Sequence, residues 1–177
     1  LVGEDEIENW PDFIDVMVSS ISDNGGRSCV NASAVIVPKY AKEIADALGK
    51  RLGALKPLPA EDPSAVLSGF ANPKMGEWID GAIEADLAGK GATDMTAPYR
   101  DGPRLVQAEG GTYLRPTIVH CDSMDHSLSN REFLCPYASV VEVPQADMLR
   151  AIGPTLVATV ITKDKKFKRQ LLVASTI

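Results

Sequence analysis

The chain has no apolar run approaching the ~20 residues that a membrane-spanning helix needs, so no membrane partner is expected. Its first residues, LVGEDEIENW, are acidic and lack a basic segment, so no secretory leader is expected. Positive charge is also scarce. Eighteen Lys and Arg against 24 Asp and Glu leave a net charge of −6, which argues against nucleic acid, since phosphate binding needs clustered cations. The one basic run, KDKKFKR at 163–169, is interrupted by Asp164 and Phe167 and reads as a solvated helix face. Cysteine is limited to Cys29, Cys121 and Cys135. An odd number at irregular spacing excludes a full disulfide framework and fits a reducing, cytoplasmic setting. His120, Cys121, Asp122, Asp125 and His126 gather metal-ligand types within seven positions. A zinc site needs four ligands and no second Cys/His pair follows, so no metal is expected. There is no G-x-G-x-x-G, and hence no sign of the strand–turn–helix unit that holds a dinucleotide. Internal repeats and low-complexity tracts are missing as well.

What remains is an ordinary globular composition, 45% hydrophobic and 24% charged over 177 residues, enough for one domain. Apolar residues in 12–22 fall near helical spacing, with Pro11 suited to a first turn. Residues 1–22 thus form a lead-in helix, and 23–177 the body. Residues 34–37 (AVIV) read as a buried strand closed by Pro38. Ile44, Leu48, Leu52 and Leu55 share one face of a helix over 40–55. After a Pro-rich connector at 56–63, Met75, Ile79, Ile83 and Leu87 line up along a helix over 73–88. A loop-rich middle follows, with strands expected at 104–108, 113–119, 138–143 and 156–162, and helices at 145–152 and 165–174. Short apolar runs alternating with helices predict an α/β domain whose parallel-type sheet is covered by helices on both faces.

The chemically most informative stretch is Asn24-Gly-Gly-Arg-Ser-Cys29, a cysteine set between a Gly-rich turn and a strand. The nucleophile is the thiolate, and backbone N–H groups of a tight turn stabilise it. The same donors can receive the oxyanion that forms when a thiolate attacks a carbonyl. Cys29 is therefore the candidate nucleophile, and Asn24, Gly26, Arg27 and Ser28 are the candidate substrate and oxyanion loop.

Asn24, Gly26 and Cys29, followed by NASAVIVP at 31–38, resemble the cysteine motif of the aldehyde dehydrogenase superfamily, Asn-x-Gly-Gln-x-Cys running into a small-residue turn and a strand. GTYLRPTIV at 111–119 is similar to a later segment of that family, with an aromatic, Pro-Thr and a β-branched pair. Glu132-Phe-Leu-Cys-Pro136, beginning 103 positions after Cys29, resembles the family's Glu-x-Phe-Gly-Pro. The likeness runs from about Pro11 to Thr162.

The resemblance implies that Cys29 attacks an aldehyde to give a thiohemiacetal and then a thioester, with hydride passing to NAD or NADP. It implies that Glu132 holds the nicotinamide ribose, with Leu134 at the position flanking the nicotinamide. Departures stand beside it: Arg27 replaces Gln or Glu, placing a cation two residues from the thiol, while Leu134 replaces Phe and Cys135 replaces Gly. The family's general-base glutamate, oxyanion-hole asparagine and dinucleotide-binding domain would precede Leu1, and its closing strand would follow Ile177. The chain is accordingly expected to be a catalytic-domain fragment that binds no cofactor tightly by itself and is inactive alone. It is also expected to self-associate as a homo-oligomer, with its apolar 171–177 end uncovered. Two alternatives stay open: a coenzyme-A-acylating relative, and a non-catalytic scaffold of the same fold.

Overall fold

A computed structural model describes residues 1–174. A 3₁₀ segment, Ile7–Phe13, leads into α1 (Ile14–Ser22). Then come β1 (Ala34–Val37), α2 (Ala41–Gly53), α3 (Pro73–Leu87) and β2 (Ala92–Asp94). The hairpin β3 (Leu105–Ala108) and β4 (Gly111–Leu114) precedes β5 (Thr117–Cys121) and β6 (Tyr137–Glu142). Helices α4 (Gln145–Ile152) and α5 (Lys165–Leu172) complete the described chain. The main sheet runs β1-β6-β5-β2, with β6 parallel to both β1 and β5 and β2 antiparallel at the edge. The expected α/β class with a largely parallel, helix-covered sheet is what forms.

Alternation along the central strands explains the two-faced burial, because successive side chains of a strand point to opposite faces. Val35 and Val37 of β1, Ile118 of β5, and Ala138 and Val140 of β6 share one core with Ile44, Leu48 and Leu52 of α2 and Met17 and Ile21 of α1. Their neighbours Ile36, Val119, Cys121, Tyr137 and Val141 face a second core with Ile79 and Ile83 of α3. Each fully buried Leu or Ile contributes about 1.5–3 kcal/mol relative to exposure. Helix α3 starts at Pro73, and the Asn72 side chain accepts from the Lys74 amide, satisfying one of the first-turn donors.

The sequence reading departs from the structure at several elements. Met75 is 42% exposed. Gly76 takes the inward place instead, since a Cβ there would sit 3.2 Å from Leu105 and 3.3 Å from Thr112. The single strand expected at 113–119 is two strands, broken at Arg115-Pro116, where Pro116 has no N–H to donate. No strand forms at 156–162. Its ladder pairing is a single parallel bridge from Ile161 to Val2, with Thr159 O also accepting from the Leu1 amino group and the Thr162 hydroxyl donating to Asp5, and Gly153, with φ 62°, and Pro154 interrupt the approach. Leu156 is left 75% exposed. The edge strand β2, three residues of sequence ATD, went unforeseen because it carries no apolar alternation. The C-terminal helix ends at Leu172 rather than 174, and residues 175–177 of the apolar end lie outside the described residues.

Candidate active site

Helix α1 ends at Ser22, and the chain reverses through Asn24 (φ 55°), Gly25 (φ 68°) and Gly26 (φ 65°). Three successive left-handed residues need Gly or Asn, the types that enter this region at least cost. Gly26 has a second reason. A Cβ there would overlap the backbone of Cys135 and Pro136, so the cysteine turn packs directly on the Glu132–Pro136 motif. Sequence spacing alone could not reveal that contact.

Asn31 then holds the loop shut. Its Oδ1 accepts from the Ser28 amide at 2.7 Å, and its Nδ2 donates to the carbonyls of Ser20 (3.0 Å) and Asp23 (3.1 Å). The Asn31 amide donates to Ser28 O at 2.9 Å, and the Ala32 amide to Ser20 O at 2.7 Å. Its place in the motif was the only signal of this role. Cys29 rides on top of this frame as an exposed free thiol. Among the described residues, no protein acceptor takes the Cys29 N–H, which leaves that donor available to an incoming oxygen.

The other two thiols are unlike it. Cys135 is buried beside Gly26, and burial pushes its pKa up to about 12. Burial also raises the pKa of Cys121, whose Sγ lies 4.0 Å from His126 Nδ1. Among the described residues, no three His, Cys, Asp or Glu side chains come together as a metal cluster.

Arg27 corrects one expectation. Its guanidinium donates to Ser68 O at 2.9 Å and Gly69 O at 3.0 Å, and lies 4.2 Å from the centre of the Phe70 ring. Desolvation lowers its pKa. The cation is engaged by a strap of the 54–72 connector, so adjacency in sequence does not aim it at the thiol. The segment 66–70, which lies beyond the connector expected at 56–63, thereby borders the Cys29 loop.

Cys29 and Glu132 line one cleft of about 460 Å³. Val16, Val30, Leu156 and Val157, all substantially exposed, share its walls. Glu132 is exposed, and among the described residues its carboxylate has no hydrogen-bond or ion-pair partner. Its neighbour Arg131 instead pairs with Asp86 at 3.3 Å. Phe133 turns inward to an edge-on contact with Tyr137, 4.9 Å between ring centres, and Cys135 is buried as well, so Leu134 between them points outward at 52% exposure. Leu134, Gly26, Arg27 and Ser28 do not line the Cys29 cleft. Asn24 borders an adjoining, more open depression with Asp23, and Val30 and Asn31 line both.

The sequence matches no protein-family model and no curated protein. Solved structures do match it. An aldehyde dehydrogenase from Bacillus cereus superposes with a TM-score of 0.76 at 22% identity, over 97% of this chain and 34% of that one. An aldehyde dehydrogenase from Mycobacterium tuberculosis, complexed with NAD+, gives 0.71 at 24% identity, over 96% and 35%. A 3,6-anhydro-L-galactose dehydrogenase gives 0.79 at 18% identity, over 99% and 37%. The chain spans about a third of the length of these proteins.

Proposed function

From a chain that has the fold of about a third of an aldehyde dehydrogenase, we propose a function as the cysteine-bearing catalytic part of an NAD(P)-dependent aldehyde-oxidising enzyme. The observation that carries this reading is the cleft shared by Cys29 and Glu132, which the fold brings together from two motifs far apart in sequence.

In this reading the Cys29 thiolate attacks the carbonyl carbon of an aldehyde. A C–S bond forms, the C=O π pair moves to oxygen, and the Cys29 N–H donates to that oxygen. When the thiohemiacetal collapses, C=O re-forms, the former aldehydic hydrogen departs with its electron pair, and a thioester remains on Cys29. A bound nicotinamide cofactor supplies the hydride acceptor. Water, or the thiol of coenzyme A, then cleaves the thioester and returns the thiolate. Glu132 suits the ribose end of such a cofactor, because an exposed carboxylate without a partner accepts hydrogen bonds from hydroxyls. Leu134, turned outward, offers an apolar contact nearby. The phosphates would rest on residues other than these, and the reading leaves this chain inactive by itself. The cytoplasmic setting and a homo-oligomeric state belong to the same reading. Exposed Leu172 and Val173 support self-association, which light scattering over a concentration series tests.

The direct experiment follows NAD(P)H formation by the full natural chain carrying these residues, over a panel of aldehydes with and without coenzyme A. Turnover that is lost in Cys29→Ser is expected, and the product, acid or acyl-thioester, identifies the acceptor. No turnover in the native chain would favour a scaffold.

A further inference from the structure

We propose that Arg27 is a positioning residue, whose guanidinium clamps the nucleophile loop to the strap at 68–70 and so sets the direction of Cys29. The proposal rests on the reading of Cys29 as nucleophile. Residues 27–33 have no helix or strand of their own. Asn31 ties this stretch to the end of α1, and Gly26 rests on Pro136. Those two holds leave the side facing the connector, where Gly25 packs on Ser68 and Arg27 supplies the hydrogen bonds. Its planar fork spans two consecutive carbonyls, of Ser68 and Gly69, while its face covers the Phe70 ring.

The strap is itself anchored. The Phe70 amide donates to Thr112 O at 2.7 Å, and Gly69 packs on Gly110 O and the Tyr113 ring. The clamp therefore connects Cys29 to the β3–β4 hairpin. Among the described residues Arg27 forms no ion pair, so its interactions here are directional. A planar, multi-donor group that stacks on a ring meets that geometry, and an ammonium does not. A displacement of the nucleophile by about 1 Å can cost on the order of 100-fold in rate, so a loop held on three sides has a direct kinetic consequence.

The test compares Arg27→Ala, Arg27→Lys and Cys29→Ser in the full natural chain, reading kcat, the KM for the nicotinamide cofactor, and thermal melting. Arg27→Ala is expected to lower kcat by about 10- to 100-fold, with cofactor KM within about twofold and a folded protein by melting. Arg27→Lys should recover little, and added methylguanidinium should partly rescue the alanine variant. An unchanged kcat in Arg27→Ala, with Cys29→Ser inactive, overturns the clamp alone. A loss of kcat that Lys restores fully reduces Arg27 to a charge and overturns it too. Turnover surviving in Cys29→Ser overturns the nucleophile reading and the clamp with it. Should Arg27→Ala fail to fold, Phe70→Leu keeps an apolar side chain in the core but removes the ring under the guanidinium, with melting read beside kcat. A severalfold lower kcat is then expected, and an unchanged one overturns the proposal.

Discussion

The ion network around Arg104 and the cleft around Cys29 are both polar, but they differ in how far their groups are satisfied. The Arg104 side chain is 2% exposed. Its Nε donates to Thr117 Oγ1 at 2.8 Å, Nη1 pairs with Asp80 at 2.8 Å and Glu84 at 2.9 Å, and Nη2 with Asp94 at 3.2 Å. Asp94 also receives Arg100 at 2.9 Å and the Thr96 hydroxyl. In the cleft, the Cys29 amide and the Glu132 carboxylate have no partners among the described residues. Buried polar groups must be paired or they cost stability, so the first cluster reads as architecture. Exposed, unpaired donors and acceptors beside a free thiol are available for chemistry, and the second cluster reads as a site.

This contrast can be broken by experiment. Its largest consequence is kinetic: Cys29→Ser should lower turnover of the full natural chain by about 10⁴-fold or more, while shifting stability by less than about 0.5 kcal/mol, the usual range for exposed positions. A melting temperature that falls with activity would make Cys29 a structural residue. Next comes thiol reactivity. With burial holding Cys135 at about 12 and raising Cys121, iodoacetamide near neutral pH should modify Cys29 faster than Cys135 by about 10³-fold or more. Peptide mass mapping reads the order, and faster labelling of Cys121 would remove Cys29 from its role.

Asp94→Ala should act in the opposite sense to Cys29→Ser, destabilising by about 3 kcal/mol because it takes from buried Arg100 its ion-pair partner and leaves Arg104 only Asp80 and Glu84. Urea denaturation measures this. Burial works to raise the Asp94 pKa, but hydrogen bonds from Thr96 and Arg100 and the charges of Arg100 and Arg104 outweigh it and hold the pKa below the ordinary value. A depressed carboxylate stabilises the fold fully above its unfolded pKa. That contribution is lost as pH falls through the folded pKa, so native and Asp94→Ala proteins should converge in stability in strong acid. The smallest effect expected is that of Glu132→Gln, a rise of about 10-fold in cofactor KM from loss of a charged acceptor, with melting unchanged. An unaltered KM would detach Glu132 from the cofactor.

Legibility in the sequence followed the range of the forces involved. Helix α2 was readable because Ile44, Leu48 and Leu52 repeat at the helical period, and the cysteine turn because Asn and Gly are needed where φ is positive. The segment 156–162 misled because a strand exists only with a continuous ladder partner, and here the pairing stops at one bridge, from Ile161 to Val2. Arg27 misled because its acceptors, Ser68 and Gly69, come from a connector about 40 residues away. The Arg104 network was invisible, since Asp80, Asp94 and Thr117 are joined to it only by the fold.

The amino-acid order by itself determined the α/β class, most of the helices, the turn that presents Cys29 and the motif that contains Glu132, because local backbone preference and hydrophobic period act over a few residues. Only the tertiary structure decided that Gly26 packs on Pro136, that Cys29 and Glu132 share one cleft, and that Arg27 faces the strap. Those are contacts between segments far apart in the chain, set by how two cores pack on opposite faces of one sheet.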